Sequence, residues 1–255
     1  MHASAVKKTA YALGKICFSI DNCDPEFERD LEILLPHSNN PDLSEEDIIE
    51  IRTGCEKDVR GLLNHILKRY HSGCLWIDAA CLISPAGKRV LIAGRSSTGK
   101  STTTMALALG HGWKVLAEDL TLFDLKADRV LKFASPFSLK TGTKELLENT
   151  VGRSPEPVLR SEWAPMNELA STEDSCPANF DFALYFTQIF QGPEHLTVSK
   201  LTPTEYLRKL LDCSNILRIP DSANKFVEYI SNGPCLMLDG GSLEARIAAI
   251  REMCD

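Results

Sequence analysis

The eight residues Gly94-Arg95-Ser96-Ser97-Thr98-Gly99-Lys100-Ser101 constrain this chain more than any other segment. They fit the pattern G-x-x-x-x-G-K-[ST] at every fixed position, the signature of a phosphate-binding loop between a strand and a helix. Each residue type has a physical reason to be there. The glycines let the backbone turn its N–H groups inward around an anion. The helix that follows aims the positive end of its dipole at the same charge. Lys100 can reach the β- and γ-phosphates as a mobile point charge, and the Ser101 hydroxyl can ligate Mg²⁺. The bare pattern arises by chance in roughly one chain of this length in a hundred, so context matters. Val90-Leu91-Ile92-Ala93 precedes it as an apolar strand, and Met105-Ala106-Leu107-Ala108-Leu109 follows it as a run of good helix formers. Gly94, Ser96, Ser97, Thr98, Gly99, Lys100, Ser101 and Thr102 are therefore the candidate nucleotide-binding residues.

A second feature lies close behind. The strand Lys114-Val115-Leu116-Ala117 ends in Glu118-Asp119, ahead of apolar Leu120, Leu122 and Phe123. Acids at the end of a buried strand beside such a loop are placed to hold Mg²⁺ or its water. Two adjacent carboxylates can divide the work, one on the metal and one taking a proton from an acceptor hydroxyl. Ser101, Glu118 and Asp119 are thus the candidate metal ligands, with Asp119 also the candidate base.

The pattern around these motifs reads as an α/β fold. Ala10 to Ile20 and Asp47 to Arg52 read as strands, and Pro25 to Leu35 as a helix. Pro36 to Leu43, with two Pro and two Asn, reads as a loop. Glu56 to Tyr70 carries Val59, Leu62, Leu63, Ile66 and Leu67 at helical spacing. Cys74 to Ile83 and Arg89 to Ala93 flank the turn composition Ser84-Pro85-Ala86-Gly87-Lys88, a hairpin leading into the loop. A helix over Thr102 to Leu109 stops at Gly110-His111-Gly112, and a strand runs from Trp113 to Ala117. Further strands are expected at Asp128 to Phe133, Phe182 to Phe190 and Leu196 to Lys200. Helices are expected at Thr143 to Glu148, Pro203 to Asp212, Ala223 to Ser231 and Ser242 to Cys254. Gly152 to Ala178, rich in Pro, Ser and charge, reads as a long surface loop of the kind that contacts substrates.

Nineteen positions separate Lys100 from Asp119. Short helix, glycine stop, aromatic and a strand closing in tandem acids, here Gly112-Trp113-Lys114-Val115-Leu116-Ala117-Glu118-Asp119, resemble the C-terminal domain of HPr serine kinase/phosphorylase, a family related to ATP-dependent carboxykinases. The resemblance covers about Cys74 to Asp255 and is specific around 90 to 125. Ala134-Ser135-Pro136-Phe137-Ser138-Leu139-Lys140 resembles the segment after the acidic strand in that family, with Lys140 near phosphate. The resemblance implies a P-loop, HPr-kinase/carboxykinase-like core over 71–255, and the alternating short elements before it read as a small N-terminal α+β unit over 1–70. It implies ATP and Mg²⁺, with a phosphoryl group passed to a hydroxyl. The family carries a His about 15 residues before the loop. Counting back from Gly94 reaches Asp78, in Trp76-Ile77-Asp78-Ala79-Ala80, while His71 stands 23 residues before Gly94. A carboxylate at Asp78 can orient or activate an acceptor, at the cost of more negative charge beside Glu118 and Asp119.

The N-terminal 70 residues differ from the family's own N-terminal domain, and its Gly-rich acidic docking stretch does not recur. In size and layout the chain is more similar to shorter relatives that phosphorylate a serine on a precursor peptide, lasso-peptide kinases among them. A peptide or protein hydroxyl is thus the first acceptor to expect. A small-molecule kinase and a nucleotide-holding module without transfer stand as alternatives.

Composition narrows the classes. With 255 residues, 44% apolar, the chain can bury one sizeable core plus a smaller unit. A formal net charge of -7 argues against broad nucleic-acid binding. No apolar run approaches the roughly 20 residues that span a bilayer, and Lys15 and Asp21 interrupt the N-terminal stretch. The expectation is a cytoplasmic protein, with self-association left open. Nine scattered cysteines without a Cys-x-x-Cys pair are expected to be reduced and structural.

Overall fold

In the computed structural model the described residues are 11–13, 16–21, 25–35, 48–52, 62, 74–133, 135–157, 163–166, 168–187 and 195–254. They form a mixed α/β fold built on a six-stranded sheet. The order across that sheet is β14 (Leu196–Leu201), β15 (Cys235–Gly240), β13 (Phe182–Phe186), β6 (Arg89–Gly94), β5 (Ala79–Ile83) and β7 (Lys114–Ala117). β13 runs parallel to both β6 and β15, and β5 runs antiparallel to β6 and β7. The apolar run of β6 follows from its central place, because both of its faces are covered. Leu91 and Ala93 belong to the apolar cluster on one side of the sheet, Val90 and Ile92 to the cluster on the other.

The strand directions fix where the chemistry can sit. β6 and β7 both lie antiparallel to β5, so their C-terminal ends and the N-terminal end of β5 share one edge. The C-terminal ends of β13 and β15 reach the same edge, since both run with β6.

On one face lies α2 (Lys100–His111), packed against the sheet, α3 (Thr143–Val151) and α6 (Leu243–Cys254). Its residues Thr103 to Leu109 are all buried. The helix stops where Gly112 takes φ 71° and returns its N–H to the Leu107 carbonyl, a left-handed cap that glycine adopts without steric cost. Trp113 is buried beside it.

The opposite face carries a four-stranded sheet in the order β12 (Ser175–Pro177), β9 (Arg129–Leu131), β8 (Thr121–Asp124) and β4 (Leu75–Ile77). On that same face α4 (Pro203–Leu210) packs against β6, β14 and β15 of the six-stranded sheet and against α5 (Ser222–Ile230). α4 starts with a reciprocal capping box between Thr202 and Glu205, with Pro203 at its first position. Phe123 lies 5.7 Å from the Phe226 ring at 90°, 6.1 Å from Phe180 and stacked 6.0 Å from Tyr229. A small sheet of β1 (Tyr11–Leu13), β2 (Ile16–Asp21) and β3 (Ile48–Arg52) accompanies α1 (Pro25–Leu34). Tyr11, Phe18, Leu31 and Leu34 belong to the same apolar cluster as Leu75 and Phe123.

Several expectations are corrected here. The single strand expected over residues 10–20 is a pair, β1 turning back antiparallel on β2. The stretch expected as a long surface loop contains β11 (Trp163–Ala164) and β12, and buries Ala164, Met166, Ser171 and Cys176. β11 pairs with β10 (Phe137–Ser138). Strands β8 and β15 were not expected. The strand expected to reach Phe190 is described only to Phe186. The loop at 36–43 and most of the helix expected over 56–70 lie outside the described residues. The described cysteines carry no disulfide. No helix among the described residues is long and apolar enough to cross a membrane.

Phe123→Ala removes the ring shared by β8 and α5. It is expected to cost about 3–5 kcal/mol in denaturant unfolding; a loss below about 1 kcal/mol would show that the two layers do not depend on that contact.

Candidate functional site

The glycine-rich loop leaves β6 at Gly94, whose φ of 152° lies outside the usual range of side-chain-bearing residues. A Cβ there would stand 2.5 Å from the Phe186 carbonyl of the neighbouring parallel strand. Only glycine lets the loop leave the sheet so close to β13. Gly99 takes φ 86° at the entry to α2, and Ser97 also sits left-handed at φ 68°. Backbone of alternating hand is the kind that can turn successive N–H groups toward a common centre. The Thr98 hydroxyl closes the loop on itself by donating to the Arg95 carbonyl at 2.8 Å.

A cleft of about 220 Å³ opens in front of the loop and of the first turn of α2. Of the residues singled out in the sequence, Ser96, Ser97, Gly99, Lys100, Ser101, Thr102, Asp78, Glu118, Asp119 and Lys140 all line it. Gly94 and Thr98 are in the loop but not in the lining, and Thr98 is buried behind it. His71 lies outside the described residues. Sequence reasoning missed Ser138, Thr143 and Trp163, which also face the cleft. Trp163 arrives there through β11, inside the stretch expected to be a loop.

Register explains why Asp78 faces the loop. Ala79 pairs with Ala93, so Asp78 stands opposite Gly94 at the edge of the β5–β6 hairpin. Its N–H donates to the Cys213 carbonyl at 2.8 Å, which fixes its backbone. Lys100, only 8% exposed, places its ammonium 2.8 Å from the Asp78 carboxylate, 2.6 Å from the Gly94 carbonyl and 3.1 Å from that of Arg95. A buried lysine charge needs such partners. The cation is thus held at the root of the loop.

Glu118 continues β7 and is 3% exposed. Its backbone is pinned from the segment that follows β9, with its N–H donating to Phe133 O at 3.1 Å and its carbonyl accepting from the Ser135 hydroxyl at 3.2 Å. Burial, then the adjacent Asp119 charge, push its carboxyl from 4.5 up to about 8; a hydrogen bond from Ser101 and the Lys100 charge oppose this. A buried carboxyl bonded to the Ser101 hydroxyl fits one flank of a magnesium–phosphate site, where the remaining ligands are phosphate oxygens and water. The described residues hold no group of three or more His, Cys, Asp or Glu able to bind an ion by themselves. Asp119 differs from its neighbour. It is exposed, and its φ of 63° is uncommon for a residue with a side chain. The turn sends one carboxyl inward beside Ser101 and leaves the next at the mouth. Lys140 reaches across to the Ser97 hydroxyl at 3.3 Å.

Because the folded pKa of Glu118 lies above its unfolded value, the ligand-free protein loses stability as pH rises from about 4.5 to about 8. Glu118→Gln removes that loss. Its melting temperature is expected to exceed that of the parent by a margin that grows across this window and then levels off. A margin independent of pH would contradict the buried, proton-holding state.

No family model matches the chain, and no curated protein matches it in sequence. Among solved structures it is similar to the Hpr(Ser) kinase/phosphatase from Coxiella burnetii, at 11% identity and a TM-score of 0.33, over 70% of this chain and 92% of that one. A likeness this distant transfers neither a residue nor an activity.

Proposed function

We propose that the chain binds ATP with magnesium and transfers the γ-phosphoryl group to a hydroxyl, with a serine of a peptide or protein as the acceptor. One observation carries this reading. Lys100, Ser101, Glu118, Asp119 and Asp78, drawn from three separate stretches of sequence, converge on one cleft at the N-terminus of α2. Loop amides, a lysine and a hydroxyl–carboxyl pair form the set that phosphoryl transfer needs, because its catalysis is chiefly positioning and charge stabilisation.

In this reading the triphosphate lies against the amides of Ser96 to Ser101. Lys100 leaves Asp78 and follows the charge that builds on the β–γ oxygens. Ser101 and Glu118 would hold magnesium, which would neutralise phosphate charge and favour the ionised form of the Glu118 carboxyl. The acceptor oxygen attacks the γ-phosphorus as the bond to the β–γ bridging oxygen breaks, and ADP leaves. The hydroxyl proton goes to Asp119, which stands at the mouth where an acceptor arrives. Asp78, freed from Lys100, orients the acceptor. The site edge is supported from behind by β6 and β13, so the loop does not have to be ordered by the ligand.

The Lys100–Asp78 contact favours a second reading, a nucleotide-holding module in which the exchange of partners at Lys100 is the output. A gain of one phosphate group in the mass of a serine peptide separates the two. Retention of ADP without that gain selects the module.

Lys100→Ala is expected to lower turnover by roughly a hundredfold to a thousandfold and to weaken nucleotide binding. Asp119→Asn is expected to keep nucleotide affinity and lose about a hundredfold or more in kcat. Steady-state ADP release with a serine-containing peptide measures both; full activity in Asp119→Asn would remove that carboxylate from the mechanism.

A further inference from the structure

Arg246 lies in the first turn of α6, on the same stripe as Leu243, Ile247 and Ile250, and is fully buried. An arginine on an apolar stripe has to be matched by acceptors, and here they come from three segments that meet at the site edge. Its Nη1 donates to the Thr98 carbonyl of the glycine-rich loop at 2.7 Å, its Nε to Gly240 at the end of β15 at 2.9 Å, and its Nη2 to Thr187 just past β13 at 3.3 Å. The guanidinium also lies 4.6 Å from the centre of the Phe186 ring, an attractive face for a cation. Phe186 is the residue whose carbonyl crowds Gly94.

The bond to Thr98 has a consequence for the cleft. The peptide bond is planar and trans, so the carbonyl of Thr98 and the N–H of Gly99 point in opposite directions from one rigid unit. With the carbonyl held by Arg246, the Gly99 N–H is turned away from that side chain, and Gly99 lines the cleft. A rotation of that unit about its neighbours would present a carbonyl to the phosphate instead, and the left-handed Gly99 leaves such a rotation sterically open. The guanidinium charge further polarises the unit, strengthening the same N–H as a donor.

We infer that Arg246 is a positioning residue that fixes the Thr98–Gly99 peptide unit with its N–H facing the cleft, so that the loop is held ready for an anionic polyphosphate before one arrives. It need not touch the ligand. The benefit is preorganisation, since the ordering of the loop does not have to be taken from the binding energy. The claim about loop order stands on the ligand-free geometry alone; the claim about polyphosphate rests on the function proposed above.

The test compares full-length Arg246→Met and Arg246→Lys with Ile250→Ala, which removes buried apolar volume from the same helix without a bond to the loop. Backbone ¹⁵N relaxation on Ser97 to Lys100 is expected to show order parameters near about 0.85 in the parent and in Ile250→Ala, and below about 0.6 in Arg246→Met. Arg246→Lys keeps the charge and loses the three-way fork, and is expected to fall between. Calorimetry with magnesium and inorganic tripolyphosphate is expected to show roughly tenfold weaker binding in Arg246→Met and parent-like binding in Ile250→Ala. Equal loop order in Arg246→Met and Ile250→Ala would overturn the inference. Where Arg246→Met does not fold, parent-like loop order in Arg246→Lys overturns it and reduced order upholds it. If the parent itself takes up no tripolyphosphate, the proposed function fails, while the relaxation comparison still decides whether Arg246 orders the loop.

Discussion

The shared edge of the six-stranded sheet is the constraint on which the rest depends. Because β5 runs against both β6 and β7, the chain reverses twice and delivers Asp78, Gly94 and Glu118 to one side. Because β13 and β15 run with β6, Thr187 and Gly240 arrive there too. None of these residues is near another in sequence except through the β5–β6 hairpin. α2 then starts at that edge and carries its dipole into the gap. A parallel placement of β5 would send Asp78 to the far side and leave Lys100 without its counter-ion.

Charge balance in the cleft follows from this geometry. Two carboxylates and a near-neutral carboxyl meet one buried ammonium, with a guanidinium behind the loop. Glu118 keeps its proton to about pH 8 because burial and Asp119 outweigh the help of Ser101 and Lys100. In the proposed function, a divalent cation with a polyphosphate would bring positive charge to the carboxyls and take the place of Asp78 at Lys100.

Much of this arrangement was legible in the sequence, and for identifiable reasons. The Gly94–Ser101 spacing encodes backbone geometry directly, so the loop and α2 followed from the residues alone. The turn residues Ser84 to Lys88 announced the hairpin, and counting back through it found Asp78. Tandem acids after a buried strand marked Glu118 and Asp119, although the split between a buried and an exposed carboxyl needed the turn at Asp119, whose φ of 63° no pattern announces. β15 escaped because Cys235-Leu-Met-Leu, flanked by Gly233-Pro234 and Asp239-Gly240, is too short and too evenly apolar to show a period. β12 and β11 escaped because their composition is that of a loop, and burial is supplied by partners distant in sequence. Arg246 left a trace that could have been read: one arginine on a stripe of Leu243, Ile247 and Ile250.

The central claim is that this cleft takes up a nucleoside triphosphate with its cation. Equilibrium titration of the unmodified protein with ATP, with and without magnesium, tests it most directly. One saturable site per chain that needs magnesium for full affinity is the expected result. Absence of uptake of ATP or ADP in the presence of magnesium would contradict it.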